Sequence, residues 1–552
     1  MMTIIPNIQI LLTRSSKEEL AKRYIELYID NVSRTNNLEE ALRELHGKNE
    51  EIQTLKDRIN QLEKKPKKPK FNETNRSSNA NSRGNVCNDA KKKRKKTVKG
   101  KNKSDLSINK TCILKPDNIP EDAVFNGYKD YLVQDIKITT FNTLYRRAVY
   151  ILPNGKQLTA NLPASVKGSH YGAELRSLIL NEYHAKRVTQ PLIYKFLQDT
   201  GIVISQAQIN NILNSNISEF EKEYNDILLN GLLYSYYLQV DDTGSIHSGK
   251  HGYCTVIGNE AFAWYKSTDS KSRVNFLELL STPCGPCKYI FNNAANRYLK
   301  QYKIKLSMLN GLSFTAKKDL IYYLEFYGIK GVNKLKRIKE AGLIGAIDTL
   351  KSVEYLYLMS DNAKQFNLFN HMQCWVHMER NIKKYKPTDH VFIKEQDLVL
   401  ELFWDIYNNI KDYKNTGNLE NKELAEETFK TLSKLPIKYE YLKDQVDFMV
   451  SNQKEFLMPL YDPVLPLHNN LCENDIRQYV MKRNISGETK SEHGKKSRDI
   501  FLSIKTTCRK CGINFMDYLK NKLEKTNKYP SISSLVKEAI KLHNIQGKIL
   551  TC

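Results

Sequence analysis

The stretch LLYSYYLQV, residues 232–240, is a run of aromatic and apolar residues of the kind that builds a buried β-strand, and it stops at Asp241-Asp242-Thr243-Gly244. Two more short strands follow, GYCTVIG (252–258) and AFAWYKS (261–267), joined at Asn259-Glu260, and then the helical VNFLELL (274–280). Far downstream, VEYLYLM (353–359) is another apolar strand, and it ends in Ser360-Asp361-Asn362. Later still, LHNNLCENDIRQYVMKR (467–483) reads as a loop entering a helix with Glu473 in its first turn. Acids therefore stand at the C-terminal ends of two core strands, with a third on a later helix.

A strand meander, a helix, an acidic strand and an acidic helix are the order expected of an RNase H-like α/β core carrying helical insertions. Phosphodiester cleavage by two-metal catalysis needs carboxylates that hold two Mg²⁺ about 3.5–4 Å apart, one beside the attacking oxygen and one beside the leaving oxygen. Mg²⁺ prefers hard oxygen ligands and keeps several waters, so three carboxylates suffice. Spacing alone does not select three acids out of 61. Asp241 and Asp242 also fit an Asp-rich turn, Asp361-Asn362 a helix cap, and Glu473 with Arg477 an i,i+4 surface pair.

The charge is unevenly placed. The 552-residue chain has a net charge of +25, and residues 64–104 hold 16 Lys or Arg against Glu73 and Asp89, so that segment alone supplies +14. It contains KKPKKPK and KKKRKK, the latter with Lys91, Lys92, Lys93 and Arg94, and has few large apolar residues. The composition predicts a disordered basic tether for a polyanionic partner, since cations that neutralise phosphates release condensed counterions. Its plain alternative is a solvating linker.

Ahead of the tether, Leu38, Leu42, Leu45, Ile52, Leu55, Ile59 and Leu62 give an amphipathic helix, with a coiled coil as its extension. After it, YLVQDIKI, RRAVYIL and KQLTANL predict a β-rich stretch over 131–161, with a hairpin at Asn154-Gly155. PLIYKFLQDTGIVISQAQINNIL then reads as helix, turn at Gly201, N-cap at Ser205 and second helix, a helix-turn-helix pattern. The expected organisation is an N-terminal helix or coiled coil (1–63), the tether (64–110), a β-hairpin and helix-turn-helix-like DNA-binding region (111–220), the catalytic domain (221–505) and a C-terminal helical segment (506–552).

No apolar run reaches the ~18–20 residues of a membrane span, and MMTIIPNIQILLT lacks the cationic start and cleavage site of a signal peptide. Ten irregularly spaced cysteines do not form a disulfide framework, which favours a reducing cytoplasm. Two CxxC pairs, Cys284/Cys287 and Cys508/Cys511, read as packed or free thiols in preference to a four-thiolate zinc site. His377, two residues after Trp375 on a helix, reads as a hydrogen-bonded core histidine, with a supporting role for the Asp361 strand as the further guess.

The residues from about 460 to 520 resemble the C-terminal signature of the insertion-sequence-66 family of bacterial DDE transposases. The matching pieces are Asn469-Asn470 with Glu473 and Arg477, Lys482-Arg483-Asn484, Ser491-Glu492-His493-Gly494 and LSIKTTCRKCGINFMDYL. DNAKQFNLF followed by QCWVHMERNI, with Cys374, Trp375, His377 and Arg380, is similar to that family's second-Asp block. Asp241-Asp242-Thr243 stands where the family usually has Asp-Glu-Thr.

The resemblance implies that Asp241, Asp361 and Glu473 are the catalytic, metal-holding triad, with two Mg²⁺ (or Mn²⁺) as cofactor and Asp242 as rival for the first position. It implies DNA contacts from Arg477, Lys482 and Arg483, beside Lys91, Lys92, Lys93 and Arg94 of the tether. Many members carry a cysteine-pair zinc motif before the helix-turn-helix region; only Cys87 and Cys112 stand there, so a structural zinc is not expected. The implied function is cutting the ends of a mobile element and joining them to target DNA, as a homo-oligomer at the bacterial nucleoid, with small accessory transposition proteins as further partners. The alternatives are a domesticated or decayed DNA-binding protein without catalysis and a structure-specific nuclease. No two histidines are two apart, which excludes the His-x-His site of relaxase-like transposases.

Overall fold

The computed structural model describes residues 107–549, apart from 119, 121–122, 164, 167 and 215–216. The expected N-terminal helix and the expected basic tether through residue 106, with Lys91, Lys92, Lys93 and Arg94, lie outside the described residues. The chain divides between Val133 and Gln134. The described residues of the first unit carry no helix or strand.

The second unit opens on a small hairpin, β1 (Val149–Ile151) and β2 (Gln157–Thr159), paired antiparallel with Tyr150 opposite Leu158. Asn154-Gly155 turns it as expected, with Gly155 at φ 75° and the Asn154 side chain accepting the Lys156 N–H at 3.0 Å. YLVQDIKI, expected as a strand, is irregular and exposed: among the described residues no strand pairs with it to satisfy its backbone.

Helices α1 (Ala173–His184), α2 (Gln190–Asp199), α3 (Gln206–Asn214) and α4 (Ile217–Tyr234) follow. Between α2 and α3, Gly201 takes φ 80° and Ser205 Oγ accepts the Gln208 N–H at 3.2 Å, so the predicted turn and cap are both formed. Helix α4 runs through residues 232–234, which the sequence pattern had given to the strand. The expected boundary at 220/221 therefore falls inside a continuous helix.

Strands β3 (Tyr237–His247), β4 (Lys250–Gly258) and β5 (Ala263–Thr268) form an antiparallel meander. After α5 (Arg273–Leu280), residues 281–350 fold as an insertion. It comprises the two-residue strands β6 (Tyr289–Ile290) and β7 (Ser313–Phe314) and helices α6 (Asn293–Gln301), α7 (Lys317–Phe326) and α8 (Val332–Leu350). The chain then returns to the sheet as β8 (Tyr357–Ser360) and β9 (Asn370–Gln373), both parallel to β3. The main sheet thus has five strands in the order β5-β4-β3-β8-β9.

Strand alternation sorts the sheet into two faces. Leu238, Val240, Ile257, Trp264 and Leu358 join the large core built with α1–α8, where Trp264 stacks on Tyr224 at 5.1 Å. Cys254, Val256, Ala263 and Tyr265 point the other way, onto α14 (Asn470–Ser486) and α15 (Glu492–Lys510). Each fully buried aliphatic side chain in these layers contributes roughly 1.5–3 kcal/mol.

Between β9 and α14 lies a second insertion, entirely helical: α9 (Trp375–Ile382), α10 (His390–Thr416), α11 (Leu419–Ser433), α12 (Glu440–Ser451) and α13 (Gln453–Tyr461). Trp375, 1% exposed, anchors it by packing on Phe403 and Phe456 and donating its indole N–H to the Phe456 carbonyl at 3.1 Å. Helices α16 (Phe515–Glu524) and α17 (Ile532–Ile549) close the chain against α1 and α4. The expected boundary at 505/506 lies inside α15. Among the described residues no helix is long and apolar enough to cross a membrane.

Candidate active site

The parallel pairing of β3 and β8 sets Tyr237 opposite Tyr357, Leu238 opposite Leu358 and Gln239 opposite Met359. Asp361 follows Met359 by two residues as Asp241 follows Gln239, so the two acids stand at one level. Asp361 lies just past the end of β8 and Asp241 midway along β3, which the sequence pattern had ended at Asp241 but which runs on to His247. By period-2 parity both share the face of Gln239 and Met359. Gln239 shows what lies over that face: it receives the Cys472 N–H at 3.4 Å and donates to the His468 carbonyl at 3.3 Å, both at the start of α14.

Glu473 sits in the first turn of α14 and is 8% exposed. Asn469, fully buried just ahead of it, donates its side-chain amide to the Val240 carbonyl at 2.8 Å, which fixes the helix start against β3 next to Asp241. Burial pushes the Asp241 carboxyl up to about 7, and the charges of Asp361, Asp242 and Glu473 add to that, against the opposing hydrogen bond from the Asp242 N–H. Asp242 faces the other way and accepts from Gln365 Nε2 at 2.9 Å; burial raises its carboxyl too, while Gln365 and Lys271 oppose the rise.

Glu473 has a second set of neighbours. Arg380 Nη1 and Nη2 both lie 3.2 Å from its Oε2, and Arg477 Nη2 lies 3.7 Å from the same oxygen. Its Oε1 points toward His377 Nδ1, 3.6 Å away. Cys374 Sγ, a ring nitrogen of His377 and a carboxylate oxygen of Glu473 lie mutually within 4.8 Å; among the described residues Asp241, Asp361 and Glu473 do not meet that spacing together. The three acids are thus electrostatic neighbours with Glu473 turned partly toward α9.

Two sequence-based expectations about histidines change. His377 Nδ1 is buried and carries no hydrogen bond, so it is not the satisfied core histidine expected. The histidine beside the Asp361 strand is His371. Its Nε2 lies 2.7 Å from Ser360 Oγ, and its Nδ1 lies 2.8 Å from Glu455.

Of the expected phosphate-binding cations, Arg477 has a 62% exposed side chain on the first half of α14. Arg483 donates to the Gly244 carbonyl and so braces the outer half of β3. Lys482 departs from the expectation. It is 3% exposed, its ammonium donates to the Tyr183 carbonyl at 2.8 Å and lies 3.4 Å from the Tyr183 ring centroid. Burial and the nearby Arg498, Arg187 and Lys505 lower it to about 7, so it belongs to the α1–α14 interface and does not face a groove. Sequence reasoning gave no role to Gln239, Gln365 or His371; Asn469 and Arg380 stood in quoted motifs, but the long-range partners that explain them are invisible in one dimension.

Residues 346–497 match the model of the family described as "Transposase IS66 family". That span takes in Asp361, Cys374, His377, Asn469 and Glu473 and leaves Asp241 outside. Over 301 residues the chain is 33% identical to "Uncharacterized protein y4jO" of Sinorhizobium fredii (strain NBRC 101917 / NGR234), an alignment covering 53% of this chain and 93% of that protein.

Proposed function

This chain belongs to the IS66 transposase family, and on that premise we propose that it binds the ends of a mobile element and catalyses divalent-metal-dependent strand cleavage and strand transfer. The observation that carries the reading is the common level of Asp241 and Asp361 on adjacent parallel strands, with Glu473 tied over them by Asn469 and Gln239. The strand order, an antiparallel meander followed by two parallel strands, supports an RNase H-like core.

The donor set fits a hard dication. Burial first, and then the charges of Asp361, Asp242 and Glu473, hold a proton on Asp241 up to about pH 7, and Asn469 Oδ1 and Glu473 Oε1 are buried without hydrogen-bond partners. Asp241, Asp361 and Glu473 would hold Mg²⁺, or Mn²⁺ in its place, which supplies charge stabilisation at the attacking and leaving oxygens. The chain's own work is placement. Asn469 and Gln239 fix the start of α14, while His371, held by Glu455, fixes Ser360 next to Asp361. In the reaction proposed, water displaces the 3′-oxygen of a phosphodiester, and the freed 3′-hydroxyl attacks a target phosphodiester in line. One P–O bond forms as another breaks in each step, with no covalent link to protein.

DNA contact is assigned to Arg477, to helices α2 and α3, and to Lys91, Lys92, Lys93 and Arg94. The test is cleavage and strand transfer on duplexes carrying the element's own ends, with Mg²⁺ or with a chelator. Metal-dependent products joined to target DNA support the reading. Binding without cutting would mean a DNA-binding protein that has lost catalysis, and cutting that ignores the ends a general nuclease.

A further inference from the structure

Glu473 is a divided residue. Its Oε2 is taken by Arg380 and approached by Arg477. Its Oε1 is buried with no hydrogen-bond partner and faces a second orphan, His377 Nδ1, across 3.6 Å. That distance is beyond a normal N–H···O bond of about 2.7–3.2 Å. It is close to the separation of two ligand atoms on one tetrahedral ion, since donors about 2.0–2.1 Å from a zinc stand roughly 3.3–3.4 Å apart.

The third corner is Cys374, fully buried at the junction of β9 and α9, one helical turn before His377. Its Sγ accepts the backbone N–H of Asn469 at 3.2 Å, which orients the sulfur; burial pushes the free thiol up, and it is a bound dication that would deprotonate it. All three side chains bring ligand atoms within 4.8 Å of one another.

The geometry points to a binding site for a borderline-soft dication of the Zn²⁺ class formed by Cys374, His377 and Glu473. Sulfur, imidazole nitrogen and one carboxylate oxygen are the donor types Zn²⁺ takes, whereas Mg²⁺ asks for oxygen alone in octahedral array. Three protein ligands leave a fourth position for water. Thiolate and carboxylate together balance the charge of the ion, and Arg380 keeps Oε2, so the site needs no rearrangement of the salt bridge. The site holds Glu473 on the α9 side. If Glu473 serves the carboxylate cluster as proposed above, the two metals compete for one side chain, and Zn²⁺ opposes Mg²⁺-dependent cleavage.

The test uses the full chain, stripped with a chelator and titrated with Co²⁺ as a visible substitute for Zn²⁺, in excess Mg²⁺. The expected result is a thiolate-to-cobalt charge-transfer band in the wild type that Zn²⁺ abolishes. Cys374→Ser loses this band, and His377→Gln binds at least tenfold more weakly. The other cysteines cancel in the difference between wild type and variant. Should Cys374→Ser fail to fold, His377→Gln, a change at a partly exposed side chain, decides. The inference is overturned if Cys374→Ser keeps the wild-type band or His377→Gln keeps wild-type affinity. The readout needs no DNA, so a loss of the band in Cys374→Ser stands even if cleavage is never observed, and a failed titration leaves the carboxylate reading untouched.

Discussion

The side-chain amide of Asn469 donates to the main-chain carbonyl of Val240 at 2.8 Å, joining the helix of Glu473 to the strand residue immediately before Asp241. Both partners are fully buried. Asn469→Ala leaves that carbonyl without its donor, at a cost of about 1–3 kcal/mol, and lets the start of α14 drift. A displacement of an ångström at a reacting centre lowers rates by as much as ~100-fold. Cleavage of end DNA should therefore fall well beyond what the drop in melting temperature accounts for. Cleavage at the wild-type rate in a destabilised Asn469→Ala would remove Asn469 from the positioning role.

The positions of the acids were legible in sequence because Asp241 and Asp361 each end an apolar run and Glu473 opens a helix, although β3 itself runs on past Asp241 to His247. The helix pair around Gly201 and the Asn154-Gly155 turn were legible for the same reason, since their signals are local. What sets Glu473 between two groups of neighbours was not. Arg380 lies 93 positions from Glu473 and Asn469 lies 229 from Val240, and no periodicity encodes such pairs. Lys482 shows the converse error. A cation in a basic run next to an acidic helix turn looks like a phosphate contact, yet its ammonium lies over the Tyr183 ring and donates to the Tyr183 carbonyl. The strand start was misread because residues 232–234 suit a buried helix end as well as a strand.

The adjacent acids at 241 and 242 should behave differently. Asp241 lies on the Gln239 face beside Asp361 and Glu473, while Asp242 is engaged by Gln365. An amide cannot supply the negative charge that holds a hard dication, so Asp241→Asn should remove nearly all metal-dependent cleavage. Asp242→Asn should cost much less, and Asp242→Glu should be tolerated. Paired rate measurements at saturating Mg²⁺ decide the ranking, and the reverse order would place the metal-facing register one residue later.

The segment 64–104 should add affinity without sequence preference, because it carries +14 with no core-forming pattern. Deleting it should weaken binding to every duplex tested. It should also flatten the dependence of log K on log salt, by roughly 0.9 for each DNA phosphate that the segment neutralises. Binding isotherms at several salt concentrations give the slope, and an unchanged slope would mean the segment does not touch DNA.

Gly345, inside α8, should reverse the usual helix rule. In an ordinary helix interior Gly→Ala stabilises by about 1 kcal/mol. Here an added Cβ would stand 1.9 Å from the Ile290 carbonyl oxygen and 3.0 Å from Asn292 Oδ1, and the Asn292 amide already donates to Gly345 O and Asp348. Gly345→Ala must push α8 off β6, and overpacking of this kind costs roughly 1–3 kcal/mol. Chemical denaturation of the two proteins measures the sign, and a stabilised variant would show that the first insertion is not packed as described.

The raised carboxyl of Asp241 makes stability fall with pH over a defined window. In the unfolded chain this group ionises near its ordinary value of 3.8, whereas in the folded chain burial and then the charges of Asp361, Asp242 and Glu473 hold its proton up to about 7. Between those values the folded state binds more protons than the unfolded one. Stability contributed by this group therefore declines as pH rises, by at most ~1.4 kcal/mol per pH unit, and is flat above about 7. Asp499, raised to about 6 by burial, adds a similar slope, so the comparison must be between proteins that differ only at 241. Without metal, Asp241→Asn should melt above the wild type at pH 8, and the gap should close toward pH 4. Mg²⁺ should raise the melting temperature of the wild type more at pH 8 than at pH 5, because it competes with the proton for the carboxylate, and should leave the variant nearly unmoved. A variant that melts below the wild type at pH 8 in chelator would show that the charge on Asp241 is compensated within the protein, and the case for a dication among these three acids would fall with it.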